Sequence, residues 1–359
     1  MESNNIVEPT PSDFLQSLKC HLSNIYPNNY NSLEDVHIPR YDEISKRFSL
    51  TFGHELQFFI RIPGVINLLG DPLKLYGHAP LCMNLDQDIV FAFAMTDKSQ
   101  IVISNSQNAI FPQLTIPTDV AQKFDDENNY LNLLLAGYKA ALYDSFVAIP
   151  KGLQIYISSN LPTKNGFSSS SALILGMCFT TLVANGLVKK TYQETIFENL
   201  IKYEKMVSTQ IAWHHHFTSM LFNKKDNVLL PNDKKSLELP PKYNFIIAHT
   251  LTPTVMLFVS GQRQNKRLVE CRIGLCMMMK KMEMKDLTKM KSLGEFQDSL
   301  GYDHEEMVQL LQDSIEKKKY KTEEIEKEFG MTIINLISDI PYANNVIESN
   351  KEYNPYEFL

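Results

Sequence analysis

One stretch constrains this chain more than any other: Leu161-Pro-Thr-Lys-Asn-Gly-Phe-Ser-Ser-Ser-Ser-Ala-Leu173. Before it, Leu153–Ser158 (LQIYIS) alternates with period two, which predicts a strand. After it, Ala172–Ala184 (ALILGMCFTTLVA) is apolar on nearly every face, which predicts a buried helix. A small-residue loop at a helix N-terminus turns backbone N–H groups toward an anion, and the helix dipole favours negative charge there. Serine hydroxyls can cap the helix, and one can also ligate Mg²⁺. No Gly-Lys-Ser/Thr follows at Walker A spacing. A plain serine-rich cap on a core helix accounts for the same residues, and composition does not choose between the two.

The rest of the chain bounds the classes. Hydrophobic residues make up 44% and charged residues 21%, which excludes disorder throughout. No run approaches the ~18 apolar residues of a membrane span. The opening MESNNIVEPTPSDF has neither a basic nor an apolar leader segment, so a secretory signal is not expected. A formal net charge of -6 argues against a general nucleic-acid binder. The five cysteines are odd in number and form no CxxC pair. A disulfide framework or structural zinc is therefore not expected, and a reducing cytoplasm fits best.

Strand patterns come first: Leu56–Ile62, Asp88–Met95, Gln100–Ser104 and Leu153–Ser158. The N-terminal segment contributes one helical spacing, Phe14 to Ile25, and a helix is predicted over Tyr130–Tyr143. Thr191 and Glu194 have the spacing of a capping box, opening a helix that could run to about His215. Lys224–Pro241, polar with three prolines, reads as a loop or domain boundary. Strands are expected at Tyr243–His249 and Thr254–Ser260, then helices at Lys266–Met284, Asp303–Lys318 and Thr322–Phe329. Strands, helices, strands, helices is an α+β order rather than a βαβ alternation.

The serine loop resembles the second motif of the GHMP small-molecule kinases, on their galactokinase and N-acetylgalactosamine kinase branch. Its carriers are Pro162 and Gly166-Phe167-Ser168-Ser169-Ser170-Ser171-Ala172-Leu173. A second stretch, Pro63-Gly64-Val65-Ile66-Asn67-Leu68-Leu69-Gly70-Asp71-Pro72-Leu73-Lys74-Leu75-Tyr76-Gly77, is similar to the family's first motif without a gap. A third, Arg267-Leu268-Val269-Glu270-Cys271-Arg272, resembles a distal family helix. The resemblance covers about residues 50 to 350. It implies a two-domain α+β architecture: a ribosomal-protein-S5-like N-terminal domain over 46–235, after an extension at 1–45, and an incomplete ferredoxin-like, largely helical C-terminal domain over 236–359.

The family transfers the γ-phosphate of ATP to a small-molecule hydroxyl, at C1 for galactose-type sugars. The resemblance therefore implies nucleotide contacts from Asn165, Gly166, Phe167, Ser168, Ser169, Ser170 and Ser171. It implies Mg²⁺ ligation by Glu204 with Ser170 or Ser171, and an adenine neighbour at Tyr130. The sugar side departs from the pattern. The first-motif arginine is Val65, which cannot pair with phosphate. The Glu-His-x-Asp set has become Asp71-Pro72-Leu73-Lys74, leaving Asn67, Asp71 and Pro72 as vestigial sugar contacts and reversing charge at Lys74. The glycine-rich segment with the catalytic aspartate falls on Ile211-Ala212-Trp213-His214-His215-His216, so His215 replaces the aspartate. Fourteen glycines in 359 residues is about 4%, against a usual ~7%, and this is one place where they are missing. Three consecutive helical histidines point about 100° apart and would not chelate one ion.

These departures make the expected function that of a galactokinase-like pseudoenzyme: a binding or structural subunit, retaining at most ATP and Mg²⁺ binding. The alternative is an active ATP-dependent sugar 1-kinase with an altered acceptor. Relatives continue into a glycine-rich motif that this sequence lacks. A protein partner is therefore expected at the shortened C-terminal domain, within a cytoskeletal-type assembly, and no nucleic acid or membrane is expected to bind.

Overall fold

The computed structural model describes residues 33–70, 80–125, 128–143, 145, 147–162, 166–188, 193–207, 217, 219–220, 227–230, 235–238, 246–248, 257–338 and 352–355. A π-helical turn, Leu33–His37, leads into α1 (Ile38–Phe52). Pro39 suits the first turn of α1, where its missing N–H has no partner to lose. Gly53 ends the helix in the left-handed conformation, its N–H donating to the Ser49 carbonyl. Strands β1 (Phe58–Leu69), β2 (Leu81–Thr96), β3 (Gln100–Asn105) and β4 (Leu114–Pro117) follow, then α2 (Asn129–Leu142) and β5 (Gly152–Ser159). Next come α3 (Ser169–Ala184), α4 (Gln193–Val207) and a hairpin of β6 (Asn227–Leu230) and β7 (Lys235–Glu238).

Strands β1 to β7 form one sheet in the order β4-β3-β5-β2-β6-β7, with β1 also paired to β2. Only β3 and β5 are parallel, and the chain between them includes α2, the crossover that parallel strands require. From Ile89 to Met95 β2 is continuously apolar because both its faces are covered there. Ile89, Phe91 and Phe93 enter the main core with α2 and α3, while Val90, Ala92 and Ala94 meet Tyr41, Ile44 and Phe48 of α1. Burying a phenylalanine of this kind stabilises a fold by about 1.5–3 kcal/mol.

Two glycines set the helix layer. A Cβ at Gly137 of α2 would lie 2.1 Å from the Ile174 carbonyl oxygen of α3, and one at Gly176 would lie 2.0 Å from the Phe91 ring. Further cores lie around α5 (Leu257–Lys281). Its partners include α6 (Leu293–Leu300), α7 (His304–Ser314), α8 (Thr322–Phe329) and α9 (Ile333–Leu336), with β8 (Tyr320–Lys321) paired to β9 (Glu352–Tyr353). Glu270, buried in α5, accepts from Arg267 Nη1 at 2.6 Å and from the Asn354 N–H at 2.9 Å, tying β9's exit to the helix.

The structure corrects three expectations. Residues 257–260 of the expected strand Thr254–Ser260 are helical, the start of α5. Lys224–Pro241 carries the β6–β7 hairpin rather than a plain loop. A helix the spacing did not predict, α1, covers one sheet face. The expected helix Phe14–Ile25 lies outside the described residues, as does most of the expected strand Tyr243–His249. Among the described residues no helix is long and apolar enough to cross a membrane.

Candidate functional site

The site begins where β1 passes the serine loop. Gly64 admits no side chain: its Cβ would meet Leu161 Cδ2 at 2.4 Å and the Phe167 carbonyl oxygen at 3.2 Å. With the backbones this close, the Val65 N–H donates to the Phe167 carbonyl at 3.2 Å. In return, Ser168 Oγ donates to the Val65 carbonyl at 3.1 Å. Both polar groups of the Val65 peptide unit thus hold the loop, and the side chain is 0% exposed within the main core.

The loop itself turns on two positive φ angles, +78° at Gly166 and 60° at Ser168. Gly166 has open space around a would-be Cβ, so its glycine is required by conformation alone. Ser168 is a non-glycine residue in left-handed geometry, which costs of order 1–3 kcal/mol and persists where its surroundings over-determine it. Here the bond to Val65 supplies that restraint. Ser168 is the N-cap of α3, yet its side chain makes no cap bond to the first turn. Instead it points to β1, which leaves the N–H groups at the start of α3 for an anion.

The next contact is buried. Ser171 Oγ donates to Glu204 Oε1 at 2.9 Å, and each residue is only 4% exposed. Helix α4 brings the carboxylate to the N-terminal turn of α3, where the helix dipole favours negative charge. Of the two serines the sequence offered as partners of Glu204, Ser171 makes this contact, while Ser170 is half-buried beside it. A hydroxyl and a carboxylate are hard oxygen donors, the set Mg²⁺ takes.

At the other rim Tyr130, in the first turn of α2, accepts a bond from Asn105 Nδ2 at 3.1 Å. Its ring lies 4.6 Å from that of Phe111, tilted 38°. Burial pushes the Tyr130 phenol up to about 12. Asn128 caps α2 by accepting from the Leu131 N–H, which fixes where Tyr130 stands. Sequence reasoning missed Phe111, a lone aromatic in a polar turn. It also missed Asn84 and Ser219, which bond reciprocally at 2.8 and 3.1 Å and tie β2 to the helical residues 219–220. Asn67 is half-buried and accepts from the Cys82 thiol at 3.2 Å. Asp71, Pro72, Lys74, Asn165, Trp213, His214, His215 and His216 lie outside the described residues.

The site is thus a strand, a serine turn with left-handed geometry and a buried helix joined to a second helix through a carboxylate. Comparison with known proteins shows what the chain is similar to. A family model described as the GHMP kinases N terminal domain matches residues 132–212, which run from α2 through the serine loop and past α4. The galactokinase of Dictyostelium discoideum is 26% identical over 342 residues, covering 90% of this chain and 65% of that protein. The galactokinase of Candida parapsilosis is 32% identical over 165 residues, covering 44% of this chain and 32% of that protein. The chain thus spans less than two thirds of the length of either relative. The crystal structure of Lactococcus lactis galactokinase complexed with galactose superposes with a TM-score of 0.54 at 18% identity, covering 76% of this chain and 70% of that one. Residues 132–212 thus resemble the GHMP kinases N terminal domain, the chain is similar in sequence to galactokinases, and its mixed α+β fold is shared with the Lactococcus lactis structure.

Proposed function

We propose that this protein is an ATP-dependent sugar kinase of the galactokinase type, acting on an acceptor that differs from the usual one. The observation that carries this is the buried Ser171–Glu204 contact at the start of α3. A carboxylate with 4% exposure costs free energy unless something charged or hydrogen-bonding compensates it, and here it stands beside helix N–H groups that suit phosphate. Ser171 and Glu204 would hold Mg²⁺, which would neutralise charge on the nucleotide phosphates. Ser168, fixed by Val65, sets the curvature of the phosphate cradle. Tyr130 and Phe111 offer an aromatic edge for the base. Likeness to galactokinases over 90% of the chain favours turnover over the expected inactivity. The departures at Val65, Asp71, Pro72 and Lys74 lie on the sugar side, and this is why the acceptor is proposed to differ.

One observation favours a second reading, nucleotide binding without transfer. Val65 is fully buried and uncharged where the family's arginine would steady the transferring phosphate. A phosphoryl-transfer assay separates the two. Purified protein receives MgATP with galactose, N-acetylgalactosamine and a panel of small sugars, and sugar phosphate is detected directly. Turnover that drops at least about 100-fold in Glu204→Gln, with the fold intact, supports the kinase. No product from any sugar, together with a MgATP-dependent rise in Tm, supports the second reading.

A further inference from the structure

Away from the serine loop, on the opposite face of the sheet, α1 and the end of β3 enclose a cavity of about 480 Å³. That size suits a small molecule, since ligand pockets run from about 300 to 1,000 Å³. Arg40, Glu43 and Arg47 line it from one face of α1, at positions that fall in line on a helix. Asn105 and Asn108 close it from β3 and the following turn, and Tyr156 of β5 gives it a ring. Serine and threonine hydroxyls fill the gaps between them.

The charges are arranged around one fixed centre and one loose pair. Asp88, 0% exposed, is gripped by Arg40 Nη1 and Arg61 Nε, each at 2.6 Å. Two guanidiniums share one carboxylate, so the trio carries one net positive charge, and Arg40 is its member at the cavity wall. Nearer the mouth, Arg47 and Glu43 form an exposed pair at 2.7 Å, one helical turn apart. Exposed pairs of this kind hold weakly, so both groups can turn to a ligand. Arginines prefer phosphate, whereas a carboxylate, the Asn108 amide and several hydroxyls prefer vicinal hydroxyls. The aliphatic Ile44 and the Tyr156 ring supply an apolar wall of the kind a sugar ring's C–H face covers.

We propose that this cavity is a binding site for a phosphorylated sugar, separate from the serine loop. Its phosphate sits between Arg40 and Arg47 and its hydroxyls meet Glu43 and Asn108. Asn105 donates to Tyr130, so the site touches the aromatic edge of the phosphate-handling face through one side chain. The proposal rests on the cavity alone and stands whether or not the protein turns over ATP.

The experiment is calorimetric titration of the full chain with galactose 1-phosphate, galactose and inorganic phosphate. The proteins compared are the unmodified chain, Arg47→Ala, Asn108→Ala and Glu204→Gln. Arg47 and Asn108 are exposed, so their variants are expected to fold as the parent does. Galactose 1-phosphate should bind saturably, more tightly than galactose or phosphate. Its affinity should fall about 5- to 10-fold in Arg47→Ala and in Asn108→Ala, the loss of one charge-assisted or neutral hydrogen bond, and hold in Glu204→Gln. Binding lost in Glu204→Gln and kept in Arg47→Ala would move the ligand to the serine loop and overturn the proposal. So would the absence of saturable binding, or phosphate binding as tightly as the sugar phosphate.

Discussion

On the face of the sheet that carries the serine loop, α2, α3 and β2 meet so closely that neither Gly137 nor Gly176 has room for a methyl group. On the other face, α1 lies over β2, β5 and Phe59 of β1, an ion trio holds it at Asp88, and a cavity remains beside β3. The difference follows from what each face must do. Close packing transmits position: a loop anchored at Gly64, Leu161 and Phe167 keeps its φ angles because nothing behind it can shift. The α1 face fixes no turn of that kind, and polar groups there can be satisfied without filling all the space.

This contrast can be tested by substitution, taking the largest effect first. Phe91→Ala removes a fully buried ring that fills the gap left by Gly176, and should cost about 3–5 kcal/mol in urea unfolding. A loss below about 1 kcal/mol would mean the helix layer collapses onto the gap and is less rigid than argued. Arg61→Ala leaves buried Asp88 with one guanidinium in place of two, and about 3 kcal/mol should be lost. If Arg61→Ala proved neutral, the ion trio would not be what holds α1. Gly137→Ala drives a methyl group into the Ile174 carbonyl, with an expected cost of about 1–3 kcal/mol. Because α3 must move to relieve it, the MgATP-dependent rise in Tm proposed for the serine loop should shrink as well, which Arg61→Ala should not cause.

The smallest expected effect concerns pH. His37, buried at the N-cap of α1, has its pKa lowered by burial, against the pull of Asp88 and Asp86 and aided by Arg40 and Arg61. The fold therefore favours the neutral ring, and charging it opposes folding. That contribution is fully present above the ordinary histidine value of about 6.5 and is lost as pH falls below it. Unfolding midpoints should slope downward from pH 6.5 to 5, and His37→Gln should flatten the slope. An unchanged slope would take His37 out of the α1 contact.

Much of the serine-loop face was legible in the sequence because its signals are local. The period-two strand before the loop and the all-round apolar helix after it need no distant partner to be recognised. The helix expected from Asp303 likewise opens on a local signal, a capping box of Asp303 and Glu306. α1 escaped notice although its signals were present: Tyr41, Ile44 and Phe48 at helical spacing, Asp42–Lys46 and Glu43–Arg47 pairs four apart, Pro39 at the start and Gly53 at the end. Charged residues between the apolar ones masked the stripe. Thr254–Ser260 misled for the opposite reason. A short β-branched run cannot be told from the end of a helix by periodicity, and in its described part the helical continuation into Arg267–Arg272 won. The Ser171–Glu204 contact joins two helices, so no spacing rule could have chosen Ser171 over Ser170.

β2 pairs along its length with β1, close by in the chain, and with β5 further on, but it meets β6 only at Cys82–Leu229 and Met83–Val228. A chain emerging from the ribosome can therefore build the β1–β2 ribbon early, yet it cannot close this end of the sheet until Leu229 has been made. Until then the Cys82 end of β2 offers an open edge to whatever is nearby. Pausing synthesis just after β5, and again after β7, would show whether a nascent chain of this protein needs a chaperone in the interval.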